Sequence, residues 1–196
     1  MTSRTLRSVE GLGDEPAALA DATLILVDYQ NTYTTGVMEL EGWEPALDAA
    51  ADLLARARAA GAPVIHVVHD GGPGSAYDLT AENGAIHERV APIDGEPVVA
   101  KQAPNAFFGT GLGDLVDEIG RADVVIAGFM THMCVTFTAE GAFLRGNNPT
   151  VVADATATRA LPSAAGDVPA EQLHRAALAT IGDLYAVVVP TAASLR

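Results

Sequence analysis

Six short apolar runs alternate with longer amphipathic segments along this chain of 196 residues. Thr23 to Val27 (TLILV), Val64 to Val68 (VIHVV), Pro97 to Ala100, Asp123 to Gly128, Thr150 to Ala153 and Ala186 to Val189 are strand-length runs without polar alternation. Pro45 to Ala60 instead puts Leu47, Ala50, Leu54 and Ala57 on one helical face, with a proline in its first turn and Gly61 as its stop. Gly113 to Ile119 ends at Gly120, Met133 to Leu144 closes at Arg145-Gly146, and Pro169 to Ile181 is the last helix. Strands that are apolar throughout are covered on both faces. Their alternation with helices predicts an α/β fold, a three-layer, doubly wound, mostly parallel sheet with the strand order 3-2-1-4-5-6.

Composition narrows this picture. The chain is long enough for one substantial core, and no linker divides it, so residues 21–196 are expected as a single domain behind a flexible N-terminal arm, 1–20. Hydrophobic residues make up 49% and aromatics 5%, and the net charge is −14. That charge argues against nucleic acid and against an anionic membrane surface as partners. No apolar stretch reaches the ~18 residues of a membrane span, and the polar start, MTSRTLRSVEGLGDEPAALAD, lacks a secretory core. A cytoplasmic, reducing location, where a free thiol survives, is the expectation.

Cys134 is the only cysteine. One thiol forms no internal disulfide and no zinc site. It follows the fourth apolar run and opens a helix, where unpaired N–H groups favour a lowered pKa and a reactive thiolate; the alternative is a buried, inert side chain. In the predicted strand order, ligands bind beyond the carboxyl ends of the strands, at the reversal between strands one and four. Asp28 follows strand one, Lys101 follows strand three and Cys134 follows strand four, so all three converge there. Together they can perform nucleophilic acyl chemistry: Cys134 attacks, Asp28 relays its proton or activates water, and Lys101 supplies positive charge. Backbone N–H groups at the start of the Cys134 helix are candidate oxyanion donors.

The segments LILVDYQNTY, VVAKQAPNAFFGTGL, VIAGFMTHMCVTFTAEGAFLRG and TVVADATATR resemble the isochorismatase-like cysteine hydrolase family, in the family's order and from about Thr23 to Val189. The resemblance implies that Asp28, Lys101 and Cys134 form a catalytic triad. It also implies a cis peptide at Phe129–Met130 and an oxyanion hole from the N–H groups of Met130 and Cys134. It points to hydrolysis of a small non-peptide amide through a Cys134 thioester, and to a homo-oligomer, commonly a dimer or tetramer.

Departures sharpen the expectation. Nicotinamidases of the family carry a D-x-H…H metal pattern, and no histidine lies between Asp28 and His66 here. His66 and His69 are three apart, so they point to opposite faces of a strand: His66 reads as packed structure, His69 as a possible pocket residue. No metal and no cofactor are expected. Isochorismatases that cleave a vinyl ether lack the cysteine, so Cys134 favours amide cleavage. Neither a GxSxG elbow nor a GxGxxG after the first strand is present.

Substrate-binding candidates are Gln30, Asn105, Phe107, Phe108, Thr131 and His132; for Gln30 a turn-capping role, and for His132 a helix-cap role, are the alternatives. Trp43 stands as a lid or interface residue, Asp154 and Thr156 as organisers of a loop, and Tyr77 and Asp78 as part of a lid. A metal-assisted nicotinamidase and a catalytically silent small-molecule binder of the same fold are the competing functions.

Overall fold

The computed structural model describes residues 3–196. Six parallel strands form one sheet: β1 (Thr23–Val27), β2 (Val64–His69), β3 (Val98–Lys101), β4 (Asp123–Phe129), β5 (Asn148–Ala157) and β6 (Val187–Val189). They lie in the order β3-β2-β1-β4-β5-β6, as the uninterrupted apolar runs predict. Successive β1 side chains go to opposite faces. Leu24 and Leu26 pack with Leu47, Ala50 and Leu54 of α2 (Trp43–Ala59), while Ile25 and Val27 pack with Leu112 and Val116 of α3 (Leu112–Ile119) and Ala139 and Ala142 of α4 (Thr136–Leu144). The end of α5 (Ala170–Thr180) joins the second face through Leu178 and Ile181. Apolar burial on both faces therefore fixes β1 and β4 at the centre, and with them the reversal point.

Three local features depart from the simple alternation. A wide π-type turn, Thr131–Val135, precedes α4, so the expected Met133–Leu144 helix is two pieces. A second π-type turn, Ile181–Tyr185, follows α5. The expected Thr150–Ala153 strand extends to Asn148–Ala157, because β5 bulges: Ile126 pairs with Val151, but Gly128 pairs with Thr156.

The expected flexible arm is, over its described residues, a packed segment. Its short helix α1 (Leu6–Glu10) buries Arg7, whose guanidinium donates to the carbonyls of Leu184 and Gly13, and the Leu6 N–H donates to Asp183 at 2.9 Å. Among the described residues, no helix is long and apolar enough to cross a membrane.

Gly128 shows how tightly the centre is built. It pairs with Val27, and a Cβ there would lie 2.2 Å from the Val27 carbonyl oxygen. Gly128→Ala is therefore expected to destabilise the fold by about 2 kcal/mol, which lowers Tm by roughly 4–8 °C for a domain of this size. An unchanged melting curve would mean that the two strands can separate freely.

Candidate active site

Three strand ends converge at the carboxyl edge of the sheet. Asp28 is the first residue past β1, and its backbone turns into the left-handed region, φ 55°, which aspartate tolerates better than most residues. β3 runs one residue further than the sequence suggests and ends on Lys101 itself, which pairs with His69 at the end of β2. Beyond β4 the Phe129–Met130 peptide is cis, and the π-type turn then brings in Cys134. In that turn the N–H groups of Met133 and Val135, on either side of Cys134, both donate to the Met130 carbonyl.

The side chains meet closely. Lys101 Nζ is 2.6 Å from Asp28 Oδ2 and 3.2 Å from Cys134 Sγ. Both side chains of the ion pair are fully buried, and Cys134 keeps 5% exposure. Lys101 is also the only lysine of the chain. Its ammonium bridges carboxylate and sulfur at once.

Burial sets the electrostatics. It raises the Asp28 carboxyl above its ordinary value, against the pull of Lys101. Burial pushes Lys101 down, but the charges of Asp28 and Cys134 outweigh it and leave its ammonium held more firmly than usual. The Cys134 thiol is pushed up to about 12, first by burial and then by the Asp28 charge, with Lys101 only partly compensating. The expectation of a lowered thiol pKa at a helix start is thus corrected: desolvation outweighs the helix terminus. The site therefore sets a thiol that is hard to ionise beside a buried lysine–aspartate pair.

This gives a measurable consequence. Iodoacetamide alkylation of Cys134, followed by intact mass, is expected to be slow at pH 7 and to climb about tenfold per pH unit up to pH 10. A plateau near pH 8 would show a thiol of ordinary acidity.

Other candidates fall into distinct places. Gln30 is fully buried and its amide is saturated: it donates to the carbonyls of His69 and Gly84 and accepts from the His69 N–H, each at 2.9 Å. It ties the end of β2 to the segment at Gly84. Asn105 accepts from the Phe107 N–H and packs on Gly141 of α4, and Phe107 lies under the Arg145 guanidinium at 5.5 Å; both point to the α3–α4 side. Phe108 is 73% exposed and lines a cavity of about 290 Å³ with Lys101 and Asp70.

Thr131 is buried, with its hydroxyl 2.9 Å from His174 Nδ1, and the His132 ring bonds the Thr158 hydroxyl. Trp43 packs near His87, away from the three residues. Asp154 and Thr156 bond the backbone around the β5 bulge, at Pro190 and Ala153. Asp78 ties its own loop through Gly74 and Thr80.

His66 is packed structure, its Nε2 2.9 Å from Glu96 Oε2. His69 puts Nδ1 3.3 Å from Lys101 Nζ and its ring against Tyr77. A cation on that nitrogen's open side disfavours a metal there, and no cluster of metal-ligand side chains occurs among the described residues. Tyr33 completes the surroundings unforeseen: it is buried between Phe129 and Tyr77, with its hydroxyl 3.4 Å from that of Tyr77. Its only signal was position, five residues after Asp28 in DYQNTY.

The family model for the isochorismatase domain matches residues 22–193. A streptothricin hydrolase of Streptomyces noursei is 36% identical, over 88% of this chain and 72% of its own length. The maleamate amidohydrolase of Pseudomonas putida is 34% identical, over 76% of this chain and 75% of its own. A crystal structure of an isochorismatase from Pseudomonas putida KT2440 superposes with a TM-score of 0.96 at 37% identity, covering all of both chains.

Proposed function

The chain belongs to the isochorismatase family of hydrolases, and on that premise we propose that it cleaves a C–N bond of a small non-peptide amide through a Cys134 thioester. The observation that carries this is the buried ammonium of Lys101, within reach of both Asp28 and Cys134. Mere binding of a small molecule requires no thiol beside a base and a counter-charge.

The steps follow from the contacts. Asp28 takes the Cys134 proton as Sγ attacks the substrate carbonyl. The N–H groups of Met130 and Cys134 hold the developing oxyanion. Collapse of the tetrahedral intermediate breaks the C–N bond, Asp28 returns the proton to the leaving nitrogen, and an acyl thioester remains on Sγ. Asp28 then takes a proton from water, hydroxide adds to the thioester, and the released thiolate recovers that proton. The sum is amide plus water giving acid plus amine. Lys101 keeps Asp28 ionised in a dry site and offsets the charge that builds on sulfur.

Ammonia or amine release across small amides, lactams and ureido compounds tests the reaction, and added hydroxylamine tests the intermediate. A thioester is expected to partition into hydroxamate at the expense of acid, with an acyl mass on Cys134 at early times. Amide turnover with neither hydroxamate nor acyl adduct would overturn the covalent route, and no turnover on any compound would overturn the amide reading.

A further inference from the structure

An ammonium has three N–H donors and no acceptor, so a lysine taken out of water needs partners for all three. At Lys101 the first is Asp28 Oδ2, at 2.6 Å, and the second is Cys134 Sγ, at 3.2 Å. The third is His69 Nδ1, at 3.3 Å. Asp28 and Cys134 take part in the reaction itself; His69 does not, yet it occupies one donor of the only lysine in the chain. Because an ammonium can only donate, Nδ1 has to accept. That fixes the ring as neutral imidazole with its proton on Nε2.

Two strand ends build this contact. His69 ends β2 and Lys101 ends β3, and the two are paired directly across the parallel ladder, so their side chains leave the same face side by side. The Asp70 N–H donates to the Lys101 carbonyl at 2.8 Å and holds the two ends together. Gln30 accepts the His69 N–H and donates to its carbonyl, both at 2.9 Å. The ring itself packs edge-on against Tyr77, with centroids 4.7 Å apart. Held at backbone and at ring, the imidazole has little freedom to leave the ammonium.

We propose that neutral His69 is a positioning residue: its Nδ1 takes the third N–H of Lys101 and so fixes the ammonium between Asp28 and Cys134. This rests on the hydrolase reading above and deepens it. With two acceptors only, the ammonium can turn and shift toward the carboxylate, which attracts it most. A third acceptor defines all three N–H directions, so one donor stays aimed at sulfur as negative charge builds there. The same contact makes the site sensitive to acid. A proton on Nδ1 removes the acceptor and sets two cations 3.3 Å apart. Burial and the Lys101 charge oppose that proton and hold the ring below its ordinary titration range, while Asp70 favours it. Asp70 is itself tied to the Gly72 N–H, Tyr77 faces the ring, and Asp28 and Cys134 stand behind the ammonium.

Two variants separate the acceptor from the ring. His69→Asn places an amide oxygen near the position of Nδ1 and cannot titrate, whereas His69→Phe keeps a ring against Tyr77 and has no acceptor. On any amide the protein hydrolyses, His69→Phe is expected to lower kcat by about 10–100-fold, the effect of one hydrogen bond to a charged group, with KM changed less than about threefold. His69→Asn is expected to recover most of that loss. In wild type, kcat/KM should fall on the acid side of neutrality as the ring gains its proton, and this limb should move to lower pH in His69→Asn. Equal losses in the two variants, or an acid limb that His69→Asn leaves in place, would overturn the assignment. Nitrogen-15 spectra of the imidazoles give a readout that needs no turnover. The signal missing from His69→Asn is expected to be the Nε2–H tautomer at neutral pH, and an Nδ1–H tautomer or a protonated ring there overturns the contact. Failure of the hydrolase reading is recognised separately, by wild type that hydrolyses no amide, and the spectrum then still decides whether His69 holds the lysine.

Discussion

Cys134→Ala is expected to lower kcat by about 10⁴-fold or more on any amide the protein hydrolyses, because no other side chain at the site can form the acyl intermediate. The fold should be nearly indifferent to the change. Cys134 is small, 5% exposed, and contributes one sulfur to the cluster around Val135, Ala139 and Leu112. Thermal melts are therefore expected to agree within a few degrees. Cys134→Ser probes the same point differently: the hydroxyl fits the space, but in this dry setting Asp28 must deprotonate a much weaker acid, so activity should stay within about tenfold of the alanine variant. Hydrolysis that survives in both variants would remove the nucleophile from the mechanism.

Lys101→Met acts on stability and chemistry together. The Lys101–Asp28 pair is wholly buried, with 0% side-chain exposure on either partner. Removing one member strands the other charge where water cannot reach it, which costs about 3–5 kcal/mol and should lower Tm by roughly 6–20 °C. Asp28, already raised by burial, loses the cation that opposes this rise, so at neutral pH it becomes a proton carrier with no room for another proton. Activity is expected to drop by about 10³-fold, with the remaining rate moving to higher pH. Adding Asp28→Asn removes the stranded charge, and the double variant should melt well above Lys101→Met while staying inactive. If the double variant were no more stable than the single one, the pair would not be the reason for the loss.

The fold was legible because its signal is redundant. LILV and VVIAGF are apolar at every position, which only a strand covered on both faces requires, and strand order then followed from alternation with helices. The meeting of Asp28, Lys101 and Cys134 was legible for a related reason, since Asp28 follows β1, Lys101 ends β3 and Cys134 lies in the turn after β4. What could not be read depends on distant pairs. Gln30 sits two residues from Asp28 in sequence, but its hydrogen bonds reach His69 and Gly84, which only the folded chain brings near. The β5 bulge is set by its pairing with β4 and leaves no mark in TVVADATATR. The thiol pKa was misjudged because helix position is visible in sequence whereas desolvation is not.

The seclusion of the single lysine has a use outside catalysis. The native fold offers no lysine ammonium to amine-directed reagents, since Lys101 is the only one and its side chain is at 0% exposure. An amine-reactive ester that adds mass at residue 101 therefore reports molecules whose sheet edge has opened. Its rate, followed against temperature or denaturant, measures the free energy of that opening directly. The molecule carries its own unfolding probe at the point where its chemistry is concentrated.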